Sequence, residues 1–426
     1  MKHLLLLLFL FTSYVIIAQD QNLRYEDYIY KDNIKTVQFH VDGLFTSYPI
    51  IELGSPSALL FSFDDIDGDT KNYTYTIVHC DMNWQPSNLA EMEYLDGFIE
   101  EWLDRFQFSF TAINPYTHYW LHLPNSKMDW LKSGNYLLKV YENEGEKKLA
   151  ITRRFTVVEP LLRIIPQMVR PAAPSKQRTH QEIDFIAENL SKIEIRRPLQ
   201  EIKAVILQNG RWDSAIKDII PYFVRSNQYI FDYQDRISFP GGKEFRYLDL
   251  RSLRFRSENV ALIERFDGNY EVTLQKDLKR FGDSYFQRKD INGQFVIENF
   301  DQDSLDHNLS NDYANVLFNL YSPEPLYDFD VYLYGELSDW HIDERFKMAY
   351  NPAVNGYVTK IRLKQGYYEY SYAVAPRNGK DLKPNLSEIE GDWQETENQY
   401  TILIYYRPFG ERYDRVIGMV NFTSSF

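Results

Sequence analysis

The chain has 426 residues, 44% hydrophobic and 25% charged, which is enough apolar surface for about two to four packed domains and excludes wholesale disorder. Its formal net charge of −14 argues against a nucleic-acid partner, because phosphate binding needs a basic face. Aromatic residues reach 16%, with 33 Tyr and 28 Phe, and such side chains fit pleated, half-buried surfaces, so the composition favours an all-β fold.

The N-terminus reads MKHLLLLLFLFTSYVIIAQD. Lys2 serves as a charged n-region, the Leu/Phe/Ile run as an apolar core, and Ala18 as a small residue for cleavage. Residues 1–18 are therefore expected to be a cleaved secretory signal peptide, with the exact cut free to move by a residue or two. No later run is long enough to span a bilayer as a helix. Gln19 follows the cut in place of the Cys of a lipoprotein. Cys80 alone remains in the exported chain, so no internal disulfide is available, and core packing is the reading for His79 and Cys80.

Short alternating segments then recur with turns between them. KTVQFHV (35–41), SALLFSFDDI (57–66), KNYTYTIVHC (71–80), NYLLKVYE (135–142) and LAITRRFTVVEP (149–160) have the period of half-buried strands and the spacing of a β-sandwich. DDIDGD (64–69) lacks the Gly position and closing Glu of a calcium loop, and a hairpin turn is expected there. LAEMEYLDGFIEEWLD (89–104) is the best helix candidate, although Gly97 weakens it. His118 and His122 sit four apart without a third ligand, so they are read as ordinary surface or interface histidines.

Pro160, Pro166, Pro171 and Pro174 break the pattern and mark a boundary near residue 158. A second sandwich would use QEIDFIAEN (181–189), EIKAVILQNG (201–210), EFRYLDLRSLRF (244–255) and NGQFVIENF (292–300). DYANVLFNL and YDFDVYLYGEL open a third unit after residue 305. The expected organisation is an all-β chain of tandem immunoglobulin-like or early-set β-sandwiches: 19–157, 158–305 and 306–426.

The third unit, VYLYGELSDWHIDERFKMAYNPAVNGYVTKIRLKQGYYEYSYAV (331–374), resembles the early-set sandwiches of glycogen- and starch-binding modules, with Gly335 and Trp340 matching their pattern. That resemblance implies a sugar-stacking platform at Trp340. The second platform is absent from AVAPRNGKD (373–381), which holds no aromatic residue. A periplasmic carbohydrate-binding protein is thus the alternative reading.

The most distinctive stretches lie upstream. YTYTIVHCDMNWQPSNLAEMEYLDGFIEEW (73–102), PYTHYWLHLPN (115–125), SGNYLLKVYE (133–142), ITRRFTVVE (151–159) and AVILQNGRWDSAI (204–216) run in order, followed by FRYLDLRSLRF (245–255) and RKDINGQFVIEN (288–299). Together they resemble the Plug protein family of the type IX secretion system. The resemblance implies a periplasmic, non-enzymatic protein without cofactors, peripheral to the inner face of the outer membrane. Its implied partner is the large outer-membrane β-barrel translocon subunit, whose periplasmic mouth it closes at rest. Tyr and Trp are favoured interface anchors, which makes Trp84, Tyr94, Tyr116 and Trp120 contact candidates, with core packing the weightier reading for each. The QPS and YLDGF loops are better candidates than strand interiors, because recognition residues concentrate on loops.

Overall fold

In the computed structural model, residues 23–302, 306–377, 379 and 382–424 are described; the expected signal peptide lies outside them. The chain folds as tandem β-sandwiches. In the first, one sheet contains Tyr28–Ile29, Glu146–Val158, Gly134–Glu144, Tyr73–Cys80 and Glu101–Trp102, with Ile50–Glu52 added in parallel. The facing sheet is Ile34–Val41, Leu59–Asp65, Thr117–Leu123 and Phe106–Phe108. Alternate residues of both sheets point inward, and the core is mainly aromatic. Phe63 stacks on Tyr119 at 5.2 Å and meets Tyr73 edge-on at 5.1 Å, while Tyr136 stacks on Phe155 at 5.1 Å.

The DDIDGD turn is not a hairpin. The strand before it pairs with Ile34–Val41 and Thr117–Leu123, and the strand after it pairs with Gly134–Glu144 in the opposite sheet. The turn thus crosses between the layers. The expected helix at 89–104 shrinks to Glu91–Tyr94, after which Leu95–Gly97 pairs with Met128–Trp130 and Glu101–Trp102 with Tyr73–Cys80. A single turn cannot bury an apolar stripe, and strand pairing against an existing sheet wins.

Strand pairing divides the rest of the chain differently from the expected 158–305 and 306–426 boundaries. Ile202–Gln208 pairs with Gln399–Tyr406, which pairs with Arg415–Thr423, so the end of the chain returns to complete the second sandwich. Its other sheet is built on Arg163–Val169, His180–Glu188 and Gln228–Phe231, and Phe185 stacks on Phe231 at 4.2 Å between them. Conversely, Arg246–Asp249 and Phe295–Val296 pair with Tyr367–Pro376, and Asn269–Leu274 runs parallel to Tyr313–Tyr321. Residues 246–376 therefore build the third sandwich, over a core of Val316, Phe318, Leu333 and Tyr372. The third sandwich interrupts the second, so sequence order could not show the division.

Candidate functional site

Contacts between the sandwiches fix which of their surfaces are free. Asp64, at the end of its strand, is fully buried between the first and third sandwiches. It accepts from Lys364 Nζ at 2.6 Å, His118 Nδ1 at 2.7 Å and Tyr313 Oη at 2.7 Å. Burial would push its carboxyl up, but the Lys364 ammonium and His118 outweigh burial and hold it below the usual carboxylate range. Lys364 also donates to the Asn308 carbonyl at 2.7 Å and stands 4.2 Å from the centre of the Tyr116 ring. Tyr116 Oη in turn donates to the carbonyls of Asn308 and Asn311.

The HCDMNWQPS block joins the first sandwich to the second. Asp81 accepts the backbone N–H groups of Asn83 and Gln85, which closes the turn and places Trp84 at φ 63°. Trp84 then meets Trp212 edge-on at 4.9 Å, with the Arg154 guanidinium 4.6 Å over its ring. The Met82 N–H donates to Asp414, and Arg415 pairs with Glu159. Trp84 and Tyr116 are thus contact residues as expected of their type, but the surfaces they join belong to this same chain. Tyr94 is buried in the first core, its hydroxyl donating to the Ile77 carbonyl. Trp120 alone of the four is partly exposed, stacked on His118 at 5.9 Å. Burial corrects the expectation of partner contact at Trp84, Tyr94 and Tyr116.

Trp340 is also occupied within the chain. Its ring packs against Phe245 at 5.8 Å and Tyr334 at 5.5 Å, with Arg211 of the second sandwich 5.4 Å away. It covers the turn at 290–293 so closely that a Cβ on Gly293, at φ +79°, would lie 2.5 Å from the ring. The ring is only partly exposed and already holds these three intrachain contacts, which weighs against Trp340 as a glycan platform.

The same turn is gripped from below. Glu369 accepts the N–H groups of Ile291 and Gly293 at 2.9 and 3.1 Å, and Asp290 accepts from Phe245 at 2.7 Å. Burial, and then the neighbouring Asp290, push the Glu369 carboxyl up to about 8. A raised carboxyl stabilises the fold below its unfolded value of about 4.3 and loses that contribution as pH climbs toward its folded value. Glu369→Gln should therefore gain stability relative to the parent as pH rises from 5 to 8, by about 1–3 kcal/mol. Denaturant melts of both proteins at the two pH values measure it, and a pH-independent difference would refute the assignment.

His79 and Cys80 are buried in the first sandwich. Burial lowers His79 to about 4 and raises the Cys80 thiol to about 12. Only the thiolate is a nucleophile, so Cys80 should resist maleimide in the folded protein and react at once in denaturant. Rapid labelling under native conditions would show that the region opens. Among the described residues, no group of three His, Cys, Asp or Glu is placed to hold a metal ion, and no helix is long and apolar enough to cross a membrane.

The candidate contact surface lies in the segment between the two sheets of the first sandwich. Residues 98–110 run from the outer strand Glu101–Trp102 of one sheet to the outer strand Phe106–Phe108 of the other. Phe98, Ile99, Trp102, Phe106, Phe108 and Phe110 are all exposed, Phe98 and Phe110 to 60% and 63%. Glu100 is paired with Lys147, and Lys127 bridges Glu101 and Asp104, so the acidic groups beside these rings are all in ion pairs. Exposed rings within a rim of paired charges are the anatomy of a protein interface. The YLDGF loop, preferred on sequence grounds, carries the exposed Phe98 at the start of this segment. The following FQFSF was missed, because exposed aromatics on an edge strand read like core alternation.

Residues 34–159 match the family model described as Type 9 secretion system plug protein 1st domain. A crystal structure of a hypothetical protein from Parabacteroides merdae ATCC 43184 is 32% identical, with a TM-score of 0.89 over 94% of this chain and 100% of that one. This chain belongs to the type IX secretion system plug protein family. The structure of native alpha-2-macroglobulin from Escherichia coli spanning domains NIE-MG1 is 10% identical over 47% of this chain and 90% of that one, and its TM-score of 0.16 carries no argument. No curated protein matches the chain. The exposed segment 98–110 lies wholly within the residues that match the family's first domain.

Proposed function

We propose that the protein is a removable, non-enzymatic seal that sits in the periplasm and closes the periplasmic end of the outer-membrane translocon barrel of the type IX secretion system at rest. Membership in a plug family supports a role in that machinery. The observation that carries the reading further is the exposed aromatic edge at 98–110, set on a body whose sandwiches are locked to one another by buried polar contacts. A barrel wide enough for folded proteins has a water-filled lumen and would leak if left open. A removable stopper must keep its shape without a covalent tie and present a broad contact with an apolar centre and a polar rim. The buried pairs supply the rigidity, and residues 98–110 supply the apolar centre.

A C-terminally tagged protein, purified from outer membranes in mild detergent, tests the reading. A very large barrel protein in near-stoichiometric amount is the expected result. Recovery of the tagged protein alone, free in the periplasmic fraction, would count against it.

A further inference from the structure

The outer face of one sheet of the second sandwich carries a row of apolar side chains that the core does not use. Ile165 stands opposite Ile186, Ile186 opposite Ile230, and Ile230 opposite Phe223. The row thus crosses the four strands Arg163–Val169, His180–Glu188, Gln228–Phe231 and Phe223–Arg225. Their chain neighbours Ile164, Phe185, Ala187 and Phe231 belong to the sandwich core, so alternation places the row on the opposite face. Ile165 and Phe223 are 39% and 53% exposed, and Ile186 and Ile230 are partly exposed. An open trough of about 360 Å³ runs along the row. The solvated face of an antiparallel sheet is ordinarily polar, so an apolar row there marks a contact surface.

Charges of opposite sign border the row. On one flank Asp184 and Asp232 follow the Phe185↔Phe231 pair and line the same trough. Asp184 Oδ1 is buried without a hydrogen-bond partner, and no cation among the described residues pairs with either carboxylate. Burial, and then Asp232, push the Asp184 carboxyl up to about 6. On the other flank Arg163, Glu188, Gln228 and Arg225 stand in register across the same four strands. Glu188 accepts from Gln228 at 2.9 Å. Arg163 and Arg225 are exposed and have no partner among the described residues. A body that covers this face must bring cations to one flank, apolar side chains to the centre and anions to the other flank. The face has that arrangement itself. A second copy, turned over about an axis along the apolar row, sets row on row. It lays its Arg163 and Arg225 beside Asp184 and Asp232, and the reciprocal pairs form on the other flank. Each Arg then lies one strand, about 4.8 Å, to the side of the Asp that it meets, within reach of its long side chain.

We propose that this face joins two copies of the chain in a two-fold symmetric dimer, with Ile165, Ile186, Ile230 and Phe223 at its centre and Arg–Asp pairs on both flanks. The patch is four strands wide and three rows deep, which is small for an interface, so the pairing is transient, with a Kd on the order of 10–100 µM. It uses a different sandwich from residues 98–110 and does not depend on the sealing role.

Sedimentation velocity of the mature protein from about 1 to 200 µM tests it. The weight-average coefficient should climb toward that of a dimer across this range. Ile165→Glu combined with Phe223→Glu, at two exposed positions, should weaken association at least tenfold while the protein melts with the parent. Arg163→Glu/Arg225→Glu makes both flanks acidic, and Asp184→Lys/Asp232→Lys makes both basic. Each of these variants should stay monomeric alone, and an equimolar mixture of the two should dimerise again. Circular dichroism melts establish that both are folded before they are mixed. A monomer at every concentration of the parent would overturn the proposal. So would association that survives the Ile165/Phe223 variant, or a mixture of the folded charge variants that stays monomeric.

Discussion

Lys364→Met should lower stability by about 3–5 kcal/mol, seen as an earlier first transition in chemical denaturation. The substitution keeps most of the apolar stem and removes the ammonium with its hydrogen bonds to Asp64 and the Asn308 carbonyl. Asp64 then stays buried with only His118 and Tyr313 as donors, and either remains charged without its cation or takes up a proton, at a cost both ways. An uncompensated buried charge is what makes breaking such a pair costly. The double variant Asp64→Asn/Lys364→Met should recover most of the loss, since neither partner is then left as a lone buried charge. The pH dependence follows from the same carboxyl. Its folded value is depressed, so its stabilisation is present above the unfolded value of about 3.9 and fades as pH falls through the folded one. The parent should therefore lose stability in acid and the double variant should lose less. Since Asp64 belongs to the first sandwich and Lys364 to the third, the loss should appear at their junction. A cost below about 1 kcal/mol would mean that the junction does not depend on this pair.

The second large effect concerns the exposed edge. Trp102→Glu combined with Phe108→Glu should abolish recovery of the barrel with the tagged protein, while the melting temperature stays within a degree or two of the parent. Both side chains are half exposed, so their replacement removes little internal packing. An aromatic hot spot contributes about 2 kcal/mol or more, roughly a 30-fold change in affinity, and the introduced carboxylates add a desolvation cost at the apolar centre. Phe409→Glu, at a still barer ring on the second sandwich, is the control and should leave recovery unchanged. Undiminished recovery with the double variant would move the contact off residues 98–110. Loss with the Phe409 variant as well would point to a general effect of surface charge.

The motif blocks carry a different lesson from the one their distinctiveness invites. HCDMNWQPS and RKDINGQFVIEN look like recognition sequences. Trp84 instead rests on Trp212, and the turn at 290–293 is pressed under Trp340 and held by Glu369 and Asp290. Unusual backbone and buried polar atoms must be satisfied by particular partners, and this demand leaves a strong sequence signal whether or not an outside partner exists.

The all-β class and the strands Ile34–Val41, Leu59–Asp65, Tyr73–Cys80, Gly134–Glu144 and Tyr313–Tyr321 were legible in the sequence, because alternation and turn residues are local properties. The burial of His79 and Cys80 was legible on the same ground. Tertiary structure alone decided where the sandwiches divide: the register Ile202↔Tyr406 joins residues some two hundred positions apart, and local periodicity carries no information about such a partner. It alone also decided which aromatics face outward. Trp84, Tyr116 and Phe108 have the same chemistry, and only the packing of one sandwich against another buries the first two and leaves the third in water.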